Sequence, residues 1–270
     1  MHKNLRPFLA ELIGTFAFVL ISAGAVCTSQ LAYGSGLPQA HLLTIALATG
    51  LMLMVWLPVT LEAAGGFLNP AVTLTLWVFK RLEGGRACWL IAAQLLGAFV
   101  AGLCLRWMFA DGVLNEAHFG TPHLNMPAFG GTATGEPTVP ILLSGIGIEF
   151  VLTFLIALVI YAAILDPRAP QLGVFAPGIT LIALTLMAYP LTGVAVNPAR
   201  WLGPALWELT INRQAFRDHA VYWIGPIFGA LAAGAVYEYL FWPADDAATT
   251  TETSSGGTAP VTSTLFKKKS

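Results

Sequence analysis

Residues 65–74 read GGFLNPAVTL, an asparagine followed by a proline within strongly apolar sequence, and residues 193–202 read GVAVNPARWL. The triplet Asn-Pro-Ala therefore recurs 128 positions further on (197 minus 69). Proline lacks an N–H and clashes with the preceding turn, so Asn-Pro is a poor way to continue a buried helix. It is a good way to begin one. Proline suits the first helical position, where its missing N–H would have had no partner, and asparagine is among the best residues just before it. Two short helices are thus expected, 69–80 and 197–207, each beginning at its Asn-Pro pair.

The surroundings of these two starts are set by composition. The 270 residues are 56% hydrophobic and 10% charged, where a soluble domain has about 25% charged. So few polar groups cannot cover a water-exposed surface, and the chain is read as a membrane protein. Lys+Arg 13 against Asp+Glu 14 gives no charge excess that would suit nucleic acid as a partner. Six stretches are long enough to cross about 30 Å of hydrocarbon, namely 8–28, 41–61, 87–109, 140–163, 173–192 and 219–242. The first is too long for a signal-peptide core and is read as a retained helix. Segment 111–139, rich in Gly, Pro, Thr and His, reads as a polar connecting loop. Residues 243–270 have too few apolar side chains to pack and read as a disordered tail.

Basic residues near span ends set the orientation. With the N-terminus inside, Lys3, Arg6, Lys80, Arg81, Arg86 and Arg168 fall on the cytoplasmic side and Arg106, Arg213 and Arg217 outside. This asymmetry favours cytoplasmic N- and C-termini, and a multi-pass location in the cell membrane is expected.

The chain also repeats itself. Glu11-x3-Thr15-Phe16 in the first span is matched by Glu149-x3-Thr153-Phe154 in the fourth, and an Asn-Pro-Ala site follows each. Gly97-Ala98 with Gly102 is matched by Gly229-Ala230 with Gly234. A first repeat, 1–110, holds three spans and half-helix 69–80; a second, 140–242, holds three spans and half-helix 197–207. Three spans per repeat is an odd number, so the two enter the bilayer in opposite directions. Such an inverted repeat places a central site where its halves meet.

A helix from Asn69 to Lys80 is about 17 Å long, half the hydrocarbon thickness, so it starts near the midplane. The same holds for 197–207 from the other side. Irregular backbone leading into them, 62–68 and 193–196, survives at membrane depth only when buried in protein or facing a water-filled cavity. The two starts are expected to meet across a pore, with Pro70-Ala71 against Pro198-Ala199. Asn69 and Asn197 would each offer an amide donor to a permeating oxygen, and both positive helix ends would oppose cations and protons there. Arg200 adds a fixed charge that faces the pore, clamps loop carbonyls, or does both. Glu11 and Glu149 bring a proton-coupled transporter to mind, but a paired carboxylate beside each re-entrant loop is better suited to accepting hydrogen bonds from its backbone N–H groups.

Paired Asn-Pro-Ala sites, the second continuing to Arg200, with Glu-x3-Thr-Phe opening each half, resemble the major intrinsic protein family of aquaporins and aquaglyceroporins over about 8–242. The resemblance implies an all-α bundle of six transmembrane helices and two re-entrant half-helices, a pore in every protomer, and a homotetramer. It also implies a constriction of four side chains, in which Arg200 is joined, by counting back from the motifs, by Val194, Thr185 and Thr49. Water-selective relatives have an aromatic residue and a histidine in that ring, so Thr49, Thr185, Val194 and Arg200 would form a wider one. Tyr222-Trp223 and Ala205 look like the water-channel branch. The glycerol branch typically has aspartate where this chain has Trp201, and Phe67 replaces a histidine common before the first motif. The expected function is a passive channel for water, with small uncharged solutes such as glycerol also passing; the alternatives are a glycerol and urea channel of aquaglyceroporin type and, more remotely, a proton-coupled transporter.

His2, His41, His118, His123 and His219 are read as solvated histidines at the N-terminus, at span ends or in the long loop, and Cys27, Cys88 and Cys104 as buried hydrophobes without disulfide or metal spacing. No catalytic arrangement, phosphate loop, cofactor motif or metal-ligand spacing is present in the sequence, so no enzyme activity is expected.

Overall fold

Long apolar stretches produce long helices, and in the computed structural model, which describes residues 5–34, 38–133, 135–166 and 168–241, they dominate the chain. Residues 243–270, read from sequence as a tail, lie outside the described residues, as do His2 and Lys3. The helices are α1 (Leu5–Tyr33), α2 (Pro38–Ala64), α3 (Pro70–Val78), α4 (Gly84–Met108), α5 (Asp111–Glu116), α6 (Val139–Ile160), α7 (Ala176–Thr192), α8 (Pro198–Glu208) and α9 (His219–Val236). Single π-helical turns, Tyr161–Leu165 and Tyr237–Phe241, prolong α6 and α9, and a 3₁₀ turn, Gln171–Phe175, precedes α7. With those additions, six helices are long and apolar enough to cross a membrane. No strand occurs among the described residues.

The short helices α3 and α8 begin at the proline after each asparagine. Nine residues in α3 and eleven in α8 give lengths of about 13 and 16 Å, each near half of a hydrocarbon core. Helix α2 runs on to Ala64, so the irregular backbone ahead of α3 is shorter than the expected 62–68 and begins at Gly65.

Packing follows the internal repeat. A Cβ added at Gly97 of α4 would lie 2.2 Å from Leu12 O of α1, and one at Gly229 of α9 would lie 2.3 Å from Phe150 O of α6. Leu12 and Phe150 each follow the carboxylate residue of their repeat, Glu11 and Glu149. The third span of each half thus crosses the first at equivalent points, backbone against backbone, which only glycine permits. The two halves meet through α2 and α7, where Gly50 and Gly178 face each other: a Cβ on either would lie 2.5 Å from the carbonyl oxygen of the other. Each half-helix also lies on the third span of the opposite half, α8 on α4 and α3 on α9.

Leu68 and Val196, in the loops just ahead of the half-helices, are buried in the main core with Val72, Leu76 and Ala199. Burying such a side chain contributes about 1.5–3 kcal/mol, which anchors otherwise irregular backbone. On the outside, Leu43, Val55, Leu143, Ile179 and Phe228 are exposed, the apolar coat that a lipid-facing surface requires.

Segment 111–139 departs from its reading as a polar connector. It contains α5 and two helical turns, His118–Gly120 and Met126–Phe129, and it buries Leu114, Phe119, Leu124 and Met126. These apolar residues, spaced among the Gly, Pro and Thr, pull the segment into the bundle, where Phe119 packs with Ala23, Cys27 and Leu105.

Candidate functional site

The two asparagines do two things with one side chain each. Asn69 Oδ1 accepts from Ala71 N at 2.9 Å, and Asn197 Oδ1 accepts from Ala199 N at 2.9 Å and Arg200 N at 3.4 Å, so each caps its own helix. Asn69 Nδ2 donates to Val196 O at 2.9 Å, and Asn197 Nδ2 donates to Leu68 O at 2.8 Å. This reciprocal pair ties the start of α3 to the loop of α8 and the reverse. A side-chain amide has two N–H donors. One on each asparagine is therefore committed to the cross, a use not foreseen from the sequence, and only the other remains for a passing oxygen. Helices α3 and α8 touch, and the hydrogen-bonded join between the two repeats is the asparagine cross.

Geometry of the cross depends on the preceding residue. Leu68 has φ 48° and Val196 φ 47°, both left-handed, a conformation that costs a non-glycine residue about 1–3 kcal/mol. These are the two residues whose carbonyls accept the asparagine bonds.

Each loop is also held from behind. Glu11 takes Phe67 N on Oε1 at 2.9 Å and Leu68 N on Oε2 at 2.8 Å, with Gln94 Nε2 donating to Oε2 at 2.6 Å. Glu149 takes Ala195 N at 3.0 Å and Val196 N at 2.8 Å, with the Thr192 hydroxyl donating at 2.7 Å. Both carboxylates are fully buried, and every oxygen is occupied by donors.

Arg200 is buried and Nη1 donates to Gly120 O at 2.8 Å, so it does clamp a loop carbonyl, that of the inserted segment; its Nε has no partner. Thr49 on α2, Thr185 on α7 and Val194 in the second loop are buried too, and the Thr185 hydroxyl is unpartnered. Trp201 points elsewhere: it stacks on Tyr222 at 5.7 Å and meets Phe216 edge-on at 4.9 Å. Its indole fills a core cluster around α9.

Two cavities open at the ends of this centre. One of about 140 Å³ lies beside Gly65 and Phe67, with Arg81, Glu83 and Arg86 at its rim. The other, about 270 Å³, lies on the Arg200 side and is lined by Ile45, His118, Thr121, His123, Tyr189 and Gly193 among others. The histidines here are not simply solvated. His123 Nδ1 lies 3.1 Å from Asp218 Oδ1 and its Nε2 2.8 Å from Glu208 Oε2, while His118 Nδ1 lies 2.9 Å from Glu208 Oε1. Burial opposes charge on His123, but the two carboxylates outweigh it and hold the imidazolium up to about 9. Burial would likewise raise Glu208, yet its hydrogen bonds from the two histidines bring it down to about 2. Sequence reasoning missed this group because its members stand 85 to 95 residues apart; the visible signal was two acids, Glu208 and Asp218, immediately beside apolar runs.

Six spanning helices and two half-helices meeting head to head through crossed asparagines define a polytopic membrane protein with a single central seam. The chain belongs to the major intrinsic protein family, whose profile matches residues 1–237. Among its relatives, aquaporin TIP4-4 of Zea mays is 38% identical over 240 residues, covering 88% of this chain and 87% of that protein. Aquaporin TIP2-2 of Zea mays is 36% identical over 242 residues, with 88% of both chains covered. The X-ray structure of the aquaglyceroporin from Plasmodium falciparum superposes with a TM-score of 0.74 at 22% identity, covering 88% of this chain and 96% of that one, which establishes the shared fold.

Proposed function

We propose that the protein is a passive channel for water that also admits small uncharged solutes such as glycerol and excludes ions and protons. The observation that carries this reading is the reciprocal bond of Asn69 to Val196 O and Asn197 to Leu68 O, which brings two positive helix ends to one point. A cation is repelled there, whereas a neutral molecule with an oxygen acceptor meets the remaining amide hydrogens. The unpartnered Thr185 hydroxyl and Arg200 Nε support the same route, since buried polar groups without protein partners call for water. The family's channels support it independently.

Thr49, Thr185, Val194 and Arg200 are proposed as the constriction. With no large side chain besides the arginine, this ring favours passage of glycerol and urea beside water, the aquaglyceroporin-type alternative. The transporter alternative is disfavoured because Glu11 and Glu149 each accept two loop N–H groups, a fixed structural use of the ionised carboxylate that protonation would weaken. Orientation with cytoplasmic termini rests on the distribution of basic residues, and assembly as a homotetramer on the family resemblance.

The test is an osmotic step applied to vesicles reconstituted with the full chain. They are expected to shrink much faster than empty vesicles, and equal rates would overturn the reading. Glycerol and urea uptake into the same vesicles separates the two channel readings, and indifference of either flux to a proton gradient disposes of the transporter.

A further inference from the structure

His118, His123 and Glu208 come together at the Arg200-side cavity, with one donor atom from each lying within 4.8 Å of the others. From this geometry we propose that His118 Nδ1, His123 Nε2 and the Glu208 carboxylate form a binding site for a divalent transition-metal ion of the zinc class. Two imidazole nitrogens and one carboxylate oxygen are a donor set zinc takes with a fourth position left for water. Tetrahedral zinc with bonds of about 2.0–2.1 Å places its donors about 3.3 Å apart. The hydrogen-bonded contacts of 2.8 and 2.9 Å between Glu208 and the two rings must open slightly, and the widest pair must close, both within reach of side-chain rotation.

The surroundings are those of a ligand set. Asp218 faces the second ring nitrogen of His123, the arrangement in which a carboxylate fixes a metal-binding imidazole and raises its basicity. Asp218 is itself fixed by Leu124 N at 2.8 Å, and Glu208 by Asn212 Nδ2 at 2.9 Å. Glu208 and Asp218 are almost wholly buried, whereas the His118 side chain is 52% exposed. The inner ligands are thus preorganised, and His118 provides the accessible side through which an ion and its water arrive from the cavity.

The charges balance. Both nitrogens of His123 face carboxylate oxygens, so both carry hydrogen when no ion is bound. Binding displaces the Nε2 proton to solvent and puts a 2+ ion where Glu208 and Asp218 supply two negative charges. The site joins the inserted segment to the far end of α8 beside Thr121 and Gly193, at the mouth of the proposed pore. Binding itself does not depend on conduction.

The experiment uses the full chain in detergent, purified without a polyhistidine tag, in a Cys88→Ser/Cys104→Ser background because those cysteines are not buried. Co²⁺ is titrated as a visible-absorbance reporter in a mildly alkaline, non-chelating buffer, then displaced by Zn²⁺. One ion per chain is expected, with affinity at least tenfold lower in His118→Ala, whose exposed ring leaves the fold intact. His118→Cys, which offers a thiolate in place of the nitrogen, is expected to retain binding. Absence of saturable binding, or equal affinity in His118→Ala, overturns the proposal.

Discussion

At the scale of single residues, the asparagines explain why Asn-Pro stands where it does. A serine or aspartate would also cap a helix start, but only an amide both caps with its oxygen and donates with its nitrogen, and both uses are made at Asn69 and Asn197. Replacement of Asn197 by aspartate separates the roles. The cap oxygen is kept, the bond to Leu68 O is lost and replaced by two acceptors facing one another, and a negative charge enters between two positive helix ends. Loss of that buried bond costs about 1–3 kcal/mol, read as a lower Tm. The added charge is expected to open a cation leak, measured as dissipation of a potassium gradient across reconstituted vesicles. A variant as cation-tight as the unmodified protein would show that helix-end charge does not set ion exclusion.

At the scale of elements, the loops ahead of α3 and α8 are held by a carboxylate on the first span of each repeat. Glu149→Ala leaves Ala195 N and Val196 N without acceptors in a buried place, at about 1–3 kcal/mol each. Thermal unfolding is expected well below that of the parent, with Glu149→Gln intermediate because one acceptor oxygen survives; an unshifted Glu149→Ala would mean that the carboxylate is not the loop's support. The span crossings give a sharper contrast. Gly97→Ala puts a Cβ against Leu12 O at 2.2 Å, while Gly85, on the same helix, has nothing within 4 Å. The first is expected to lose about 1–3 kcal/mol through overpacking and Gly85→Ala to change little, the pair being compared by thermal unfolding in one detergent. Both features were legible in the sequence, because a glutamate in an apolar span and a glycine at equivalent places in two repeats are anomalies that call for partners. Segment 111–139 was not. Its turn residues advertise a loop, and nothing local indicates that Phe119 is drawn into the cluster around Ala23 or that His123 pairs with Asp218, 95 positions away. Contacts set by tertiary packing leave a local signal only when the residue is itself out of place, as Glu11 is and His123 is not.

At the scale of the whole molecule, the inverted repeat makes the centre symmetric while the two ends differ. Thr15 and Thr153, Gly97 and Gly229, Leu68 and Val196 are equivalent pairs, but the first loop has Gly66 where the second has Val194, and only α8 carries an arginine after its Asn-Pro-Ala. The asymmetry lies in the Arg200-side half, and the buried Thr49, Thr185 and Val194 are the side chains proposed to select among neutral molecules there. Thr185 is the most informative of these to change, because its hydroxyl lacks a protein partner and because imidazole is bulkier than a threonine side chain and brings its own donor. In Thr185→His the ring would project into the passage beside the arginine, narrowing it below the width of a three-carbon polyol while leaving room for a single file of water. Glycerol uptake by reconstituted vesicles is expected to fall at least tenfold, equivalent to about 1.4 kcal/mol of added barrier, with osmotic water flux reduced much less. Equal loss of both fluxes would mean that the ring closes the route altogether, and no loss of either would remove Thr185 from the constriction and leave solute selection to another layer of the pore.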